Sequence, residues 1–177
     1  MRVKSANAVP DGTLPARMSS SPNEPDTPAI RALRALGVAF TTVQTERPSS
    51  VEESARLQGI DPGSLLRTIV IRRGENDYVF VLVPGGREID WPKLRAHLGV
   101  RRLSLPDQEE AKAATGYERG AITPFGATTS WPVIADASVE RLDRVAIGGG
   151  ARGLNVHLNA ADLIARSNAG VADVTKS

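Results

Sequence analysis

The chain has 177 residues, 41% of them hydrophobic and 24% charged, which is enough for one well-buried core but short for two. It contains no cysteine, and this excludes disulfides, thiolate metal sites and a cysteine nucleophile. The formal net charge is only +2, so attraction to a nucleic acid would have to come from locally clustered arginines. Without an apolar run near the roughly 20 residues of a membrane span, and without an apolar signal segment, we expect a cytoplasmic protein.

Residues 1–25 are rich in Pro, Ser, Asn and Gly and show no sustained apolar period. Such a segment cannot bury enough surface to offset the entropy of ordering it. We therefore predict a disordered leader over residues 1–25, followed by one folded domain over residues 26–177. Met18 lies just before the periodic region and is a candidate translation start in place of Met1.

The first elements are punctuated by capping residues, glycines and turn residues. In order they are a helix capped by Asp26 or Thr27 and stopped by Gly37, a strand over residues 38–45, a helix from the Ser50 and Glu53 capping box to Gly59, and strands over residues 65–73 and 78–84. The last two runs flank the turn-rich tetrad at residues 74–77. That arrangement predicts an antiparallel hairpin.

The second half mixes strands and helices without strict alternation. In order it is predicted to contain a helix over residues 90–98, a strand over 101–105, a helix over 106–114, strands over 133–136, 144–147 and 154–158, a helix capped by Asn159, and a last strand near Val171. The predicted fold class is α+β, a single domain with a mixed, largely antiparallel sheet packed by helices.

Residues 148–153 read GGGARG and satisfy the G-x-G-x-x-G pattern of dinucleotide-binding loops. That pattern needs a helix whose N-terminal amides meet the pyrophosphate, whereas residues 154–158 alternate like a strand. The sequence therefore disfavours a nucleotide fingerprint. Three consecutive glycines exceed what a tight turn needs, so we favour a loop that a ligand approaches closely, with Arg152 available for an anion, over a plain turn.

A second loop, residues 120–124, is bounded by a glycine and a proline and could expose backbone groups to a pocket, although ordinary loops share this pattern. Arg67 opens an apolar strand, either as a surface arginine or as an anion clamp. The paired arginines at 72–73 and 101–102 are solvated strand ends or a phosphate-tracking patch.

The two histidines, His97 and His157, are not in a metal-ligand spacing, and no G-x-S-x-G or S-x-x-K motif is present. We therefore predict no metal site and no cofactor. An enzyme built on this sequence would need little acid–base machinery.

Residues 26–40, 64–73, 115–126, 133–136 and 148–162 together resemble the YbaK-like family, which includes the editing domain of bacterial prolyl-tRNA synthetases. The segment TGYERGAITPFG is similar to the family's T-G-Y…G-x-x-x-P-x-G, and GGGARGL is similar to its S-G-G-x-R-G-L. The resemblance spans nearly everything after residue 25. It implies a mixed-sheet α+β domain that hydrolyses amino acids wrongly attached to tRNA, acting as a separate chain.

The resemblance also implies roles for single residues. Arg67 takes the place of the family's usual catalytic lysine; the implied substrate-binding residues are Thr45, Gly120, Ala121, Ile122, Thr123, Pro124, Asp136, Gly148, Gly149, Gly150, Arg152, Gly153 and Asn155. Residues 120–124 would cradle the aminoacyl group, and residues 148–153 would flank the terminal adenosine ester, both through backbone amides.

Four positions depart from the cysteine-removing type of this family. Arg67 replaces the lysine, Thr45 a tyrosine, Gly148 a serine and Asn155 an aspartate. An arginine keeps the positive charge but does not readily act as a base. These differences argue against cysteine as the amino acid removed.

The resulting hypothesis is a stand-alone aminoacyl-tRNA deacylase whose partners are the aminoacylated 3′ end of tRNA and, as an option, a synthetase. Arg67 would anchor the tRNA terminus, and residues 120–124 would select a small side chain by size. Two rivals stay open: a binding module that kept the pocket without turnover, and a general nucleotide or small-ligand protein. The hypothesis requires Arg67 and both glycine loops to line one concavity.

Overall fold

The computed structural model describes residues 25–176, so the predicted leader lies almost entirely outside the described residues, as does Met18. Its helices are Pro28–Ala35 (α1), Val51–Gln58 (α2), Trp91–Leu98 (α3), Gln108–Thr115 (α4) and Ala160–Arg166 (α5). Its strands are Phe40–Gln44 (β1), Leu66–Gly74 (β2), Asp77–Pro84 (β3), Glu88–Ile89 (β4), Val133–Asp136 (β5), Arg144–Gly148 (β6), Leu154–Asn159 (β7), Gly170–Ala172 (β8) and Thr175–Lys176 (β9). Short 3₁₀ turns occupy Pro62–Ser64 and Ala137–Arg141.

Each α-helix begins at a side chain that accepts a hydrogen bond from the first turn. The five caps are Thr27, Ser50, Asp90, Asp107 and Asn159. Such caps satisfy N–H groups that have no partner within the helix. This is why the helix starts predicted from the sequence agree with the observed ones to within one or two residues.

The strands form two larger sheets and one two-stranded pair. The first sheet has the order β1-β7-β6 and is antiparallel throughout. The second has the order β2-β3-β5-β8, in which β2 and β3 form the predicted hairpin and the two remaining pairings are parallel. The predicted α+β fold with a mixed sheet is confirmed.

Strand β3 lies at the centre of the core because apolar groups cover both of its faces. Tyr78, Phe80 and Leu82 belong to one buried cluster, and Val79, Val81 and Val83 belong to another. A strand buried on both sides reads as a continuous apolar run, which is what residues 78–83 show. The edge strand β2 is thereby held firmly beside it.

The strand predicted over residues 101–105 is wrong. Only Ser104 pairs there, through two backbone hydrogen bonds with Arg72 of 2.7 and 3.0 Å. The other residues of this run form no ladder pairing, so their β-type composition alone does not make them a strand. The short strands β4 and β9, which pair with each other, were not predicted, because two-residue strands carry no detectable period.

Candidate functional site

The candidate site lies where the two larger sheets separate. Both β2 and β6 are edge strands of their sheets, and a single bridge between Leu65 and Ala146 joins them. Beyond that bridge, residues of β2 and the end of β6 at Gly148 line the same cavity. Edge strands carry backbone N–H and C=O groups without ladder partners. A ligand between these strands can therefore be bound through backbone groups.

The cavity has a volume of about 610 Å³, within the range typical of small-molecule sites. Its walls are the first half of β2, the loop before α2, the start of α4 and both glycine loops. The lining residues are 48–51, 54, 65–70, 105–108, 111, 119, 120, 122, 148 and 155. Of the residues predicted from the sequence, it brings together Arg67, Gly120, Ile122, Gly148 and Asn155. One concavity thus contains Arg67 and part of each loop, as the hypothesis required.

Arg67 has one guanidinium nitrogen held by a hydrogen bond and another that is buried without a partner. Its side chain is half-buried, and Nη2 donates a hydrogen bond to the backbone carbonyl of Arg87. Its Nε is buried without a partner, and so is Oγ1 of the neighbouring Thr68, which also lines the cavity. Unsatisfied buried polar atoms cost free energy. A polar ligand in the cavity would supply the missing partners.

The two glycine loops lie in backbone contact with each other. A Cβ atom added to Gly148 would lie 3.1 Å from the carbonyl oxygen of Ile122 and 3.6 Å from that of Ala121. A serine at position 148 would therefore need a small outward shift of residues 121–122. The glycine at this position lets the 120–124 loop approach the end of β6 closely.

Tyr117 clamps the loop that contains residues 120–124. It is 4% exposed, and its hydroxyl donates a 2.7 Å hydrogen bond to the carbonyl of Phe125, which closes the loop across its ends. Burial raises the pKa of Tyr117 to about 12, so the hydroxyl stays protonated at neutral pH. Inside this clamp, Ala121 and Thr123 are buried and Pro124 is half-buried, and none of the three lines either of the two cavities described here.

Two further glycines of this loop serve packing within the protein. A Cβ atom at Gly149 would lie 2.7 Å from Leu154 Cγ, and one at Gly150 would lie 3.0 Å from Thr27 Oγ1. The Thr27 hydroxyl itself donates a 2.6 Å hydrogen bond to the Gly149 carbonyl. Gly149 and Gly150 therefore fasten the loop to the start of α1 and lie outside both cavities described here.

A second concavity of about 450 Å³ adjoins the first and shares Pro48, Arg119 and Gly120 with it. It also contains the predicted residues Thr45, Arg152 and Gly153, together with Arg47. The Thr45 N–H donates a 2.7 Å hydrogen bond to the Gly153 carbonyl. A Cβ atom at Gly153 would lie 2.5 Å from the Thr45 oxygen, so only glycine permits this junction.

Asp136, a predicted substrate-binding residue, lies apart from both cavities. It is 1% exposed and accepts hydrogen bonds from Ser138 and from the Val174 N–H at 3.1 Å. Burial would raise the pKa of Asp136, but these hydrogen bonds outweigh it and leave the pKa below its ordinary value. Arg87 Nε lies 3.6 Å from its carboxylate. Asp136 thus anchors the C-terminal segment near the backbone that holds Arg67.

The ionisable side chains lining the first cavity are Arg67, Asp107 and Arg119. Asp107 already accepts the Glu110 N–H at 2.8 Å as the cap of α4. The site therefore offers cations and backbone groups, and no histidine lines it. Sequence reasoning missed Arg47, Arg119 and the 48–51 loop, because exposed loop residues show no period that would place them together.

Fold and site together define an α+β protein with a largely apolar cavity between two sheets, in which backbone groups and arginines are the polar features. The sequence profile of the aminoacyl-tRNA editing domain family matches residues 45–165. This match covers more than half of the chain, which therefore belongs to that family.

Individual relatives agree with this membership. The chain is 25% identical over 126 residues to a protein from Enterococcus faecalis, EbsC, named as a candidate Cys-tRNA(Pro)/Cys-tRNA(Cys) deacylase; the match covers 71% of this chain and 77% of EbsC. It is 31% identical over 110 residues to the proline–tRNA ligase of Thermotoga sp. strain RQ2, covering 62% of this chain. That match spans only 18% of the ligase, so the similarity concerns one part of the larger enzyme.

Solved structures show the same architecture. A crystal structure described as a candidate trans-editing enzyme for prolyl tRNA synthetase matches with a TM-score of 0.75 at 25% identity, covering 90% of this chain and all of the other. The hypothetical protein APE2540 matches with a TM-score of 0.77 at 20% identity, covering 84% of this chain and 99% of the other. The second likeness shows the fold alone. Within residues 25–176, no helix is long and apolar enough to cross a membrane.

Proposed function

We propose that this chain is a trans-acting aminoacyl-tRNA deacylase that hydrolyses the ester of a mischarged tRNA carrying a small amino acid. The observation that carries the proposal is the cavity of about 610 Å³ lined jointly by Arg67 and parts of both glycine loops. Family membership supports hydrolytic editing in general. The identity of the amino acid and of the tRNA, the contact with a synthetase and the cytoplasmic location stay predictions.

In the proposed reaction, water attacks the ester carbonyl carbon and the bond to the ribose 3′ oxygen breaks. The leaving oxygen takes up a proton, which gives free amino acid and a tRNA with a 3′ hydroxyl. An aminoacyl ester is already reactive, so holding it beside a water molecule accounts for much of the acceleration. The oxyanion that forms on the carbonyl oxygen would be stabilised by backbone N–H groups and by the unpartnered Nε of Arg67.

Selection by size follows from the contact between the two loops. Ile122 lines the cavity, and its backbone is pressed against Gly148, so this wall cannot retreat without separating the loops. A wall of fixed position excludes larger side chains by overlap, whereas it admits all smaller ones with modest discrimination. We therefore expect hydrolysis of esters of small amino acids and little hydrolysis of large ones.

The direct test is a panel of mischarged tRNAs carrying alanine, serine, cysteine, threonine and larger amino acids. Release of amino acid from at least one small-residue substrate is the expected result. Absence of release across the whole panel, with folded protein, would contradict the proposal.

Variants at Arg67 test its role separately. Arg67→Ala removes the charge and should abolish release. Arg67→Lys retains a positive charge and should keep measurable activity, since a charge at this position is what the substrate end requires. As a matched control, Arg141→Ala removes an exposed arginine that lines neither cavity and should leave release unchanged.

A second candidate function is binding of the aminoacyl end without turnover. The arginine at position 67 favours it, because a guanidinium does not readily act as a base. Saturable binding of a non-hydrolysable aminoacyl-adenosine mimic, together with no release from the panel, would support this alternative over the deacylase.

A further inference from the structure

The second concavity carries an arginine cluster, defined as Arg47, Arg119 and Arg152. Residues from three separate parts of the chain thus place positive charge around one volume of about 450 Å³. All three side chains are exposed, and within residues 25–176 none of them has a hydrogen bond or an ion pair. In a protein whose formal net charge is only +2, this is a local concentration of unneutralised charge.

Nearby carboxylates do not neutralise the cluster. Glu118 precedes Arg119 in the sequence, but its carboxylate lies 3.5 Å from Lys112 Nζ. Glu46 precedes Arg47 and forms no ion pair with any member of the cluster. The arginine cluster is therefore available to an anion from outside the protein.

The cluster is mounted on a fixed backbone. Thr45 and Gly153 are joined by a 2.7 Å hydrogen bond in a contact that only glycine permits. Arg152 directly precedes this junction, and Arg47 follows Thr45 by two residues. In addition, Thr45 Oγ1 is buried without a partner and Thr45 lines the concavity. Thr45, with its buried and unsatisfied hydroxyl, thus belongs to the same lining as the three cations.

We propose that the arginine cluster binds the phosphodiester backbone of a single-stranded RNA 3′ end, at the nucleotides that precede the terminal nucleoside. This inference rests on the proposed function, which puts the terminal nucleoside and its ester in the first cavity. Pro48, Arg119 and Gly120 border both spaces, so a strand leaving the first cavity enters the second directly. Guanidinium groups match phosphate in geometry and charge, and the lining holds no aromatic side chain for base stacking.

The test uses oligoribonucleotides that carry no amino acid, with lengths from one to five nucleotides, each taken from the 3′ end of a strand that ends in CCA, as tRNAs do. Calorimetry or fluorescence anisotropy would give dissociation constants at several salt concentrations. The wild-type protein should gain affinity with each of the first added phosphodiesters. The variant R47Q/R119Q/R152Q should lose about tenfold in affinity for the longer oligomers, and its salt slope should fall by about 2, at roughly 0.7 per lost phosphate contact.

A matched control removes the same charge elsewhere. R141Q/R144Q/R166Q replaces three exposed arginines that line neither concavity, so it should bind like the wild type. Thermal unfolding of both variants shows whether each is folded. Equal affinities for the cluster variant and the control variant would overturn the proposal. So would binding of a blunt RNA duplex, or of inorganic phosphate alone, as tight as that of the single-stranded oligomers.

The oligomers carry no amino acid, so this test is independent of hydrolysis. Length-dependent binding without release from the mischarged panel would uphold the arginine cluster and contradict the deacylase. Release from the panel with no effect of the cluster variant on RNA binding would uphold the deacylase and contradict the cluster.

Discussion

At the scale of single residues, the glycines of residues 148–153 form one sequence pattern, but the structure requires each of them for a different reason. The sequence favoured close approach by a ligand as the reason for all of them. In the structure, Gly148 contacts the 120–124 loop. Gly149 packs against Leu154, Gly150 packs against Thr27, and Gly153 packs against the backbone of Thr45, which follows β1. Sequence alone cannot separate these reasons, because the approaching atoms belong to other segments, and at Gly150 and Gly153 they come from Thr27 and Thr45, more than one hundred positions away.

The junction at Gly153 leads to a stability prediction. Gly153→Ala should lower the free energy of unfolding by about 1–3 kcal/mol more than Gly120→Ala, as measured by urea denaturation. Both glycines have positive φ, +79° and +90°, so both variants share the backbone penalty. Only Gly153 adds overlap with the Thr45 carbonyl, whereas nothing lies within 4 Å of a Cβ atom at Gly120. Equal losses for the two variants would show that the junction tolerates a side chain.

Asp136 belongs to a segment that resembles the family and was predicted to bind substrate, yet it lines neither of the two cavities. Its carboxylate is engaged by Ser138 and Val174, and Arg87 donates a 2.7 Å hydrogen bond to Thr175 beside it. Arg87 in turn supplies the carbonyl that receives the Arg67 guanidinium. The position of Asp136 at the end of β5 was predicted, but its partners in the last residues of the chain were not, because they carry no sequence signal.

At the scale of elements, the predictions succeeded where local chemistry decides. All five helix starts carry a short polar cap, and Gly59, Gly99 and Gly116 end their helices with positive φ. Pairing between strands that are distant in the sequence was harder to predict. Residues 101–105 have strand-like composition, yet only Ser104 pairs with the β2 edge. The convergence of Arg47 with Arg152 exists only because β1 pairs with β7.

The clamp at Tyr117 leads to a prediction about the 120–124 loop. Tyr117→Phe should lower the free energy of unfolding by about 1–2 kcal/mol, since it leaves the buried Phe125 carbonyl without its partner. It should also weaken binding of an aminoacyl-adenosine mimic, because the loop loses its closure. Calorimetric unfolding and a binding titration measure the two effects.

The other tyrosine provides the matched control. Tyr78→Phe also removes a buried hydroxyl, one that donates a 2.5 Å hydrogen bond to Glu110, but Tyr78 lines neither cavity. It should reduce stability without a comparable loss of binding. An equal loss of binding in both variants would mean that general destabilisation, and not the clamp, accounts for the effect.

At the scale of the whole molecule, stability should depend on pH through His157. Burial and then the charge of Arg144 lower the pKa of His157 below its ordinary value of 6.5. The unfolded chain therefore binds this proton more readily than the folded one, so stability is complete above pH 6.5 and falls as the pH decreases toward the folded-state pKa. His157 also contacts Gln58 Oε1 at 2.8 Å, which accepts a hydrogen bond from the neutral ring.

Replacing His157 with Gln should flatten the decline in stability between pH 7.5 and pH 5, measured by urea denaturation at each pH. The same replacement at the exposed His97 should preserve the decline seen in the wild type. The depressed pKa of Asp136 affects stability only at lower pH, where its carboxylate becomes protonated, so it does not contribute in this window. An undiminished decline in His157→Gln would assign the pH dependence to other groups.

The hydrogen bond between Thr45 and Gly153 also has a consequence for synthesis on the ribosome. It joins two sides of the second concavity that are more than one hundred residues apart in the sequence. The hydrogen bond from the Thr27 hydroxyl to the Gly149 carbonyl spans a sequence separation of 122 residues. A nascent chain that ends before residue 152 can form the β2–β3 hairpin, which lines the first cavity, but it lacks Arg152 and Gly153 of the second. The second concavity therefore forms only after residues 45 and 153 have both left the ribosome.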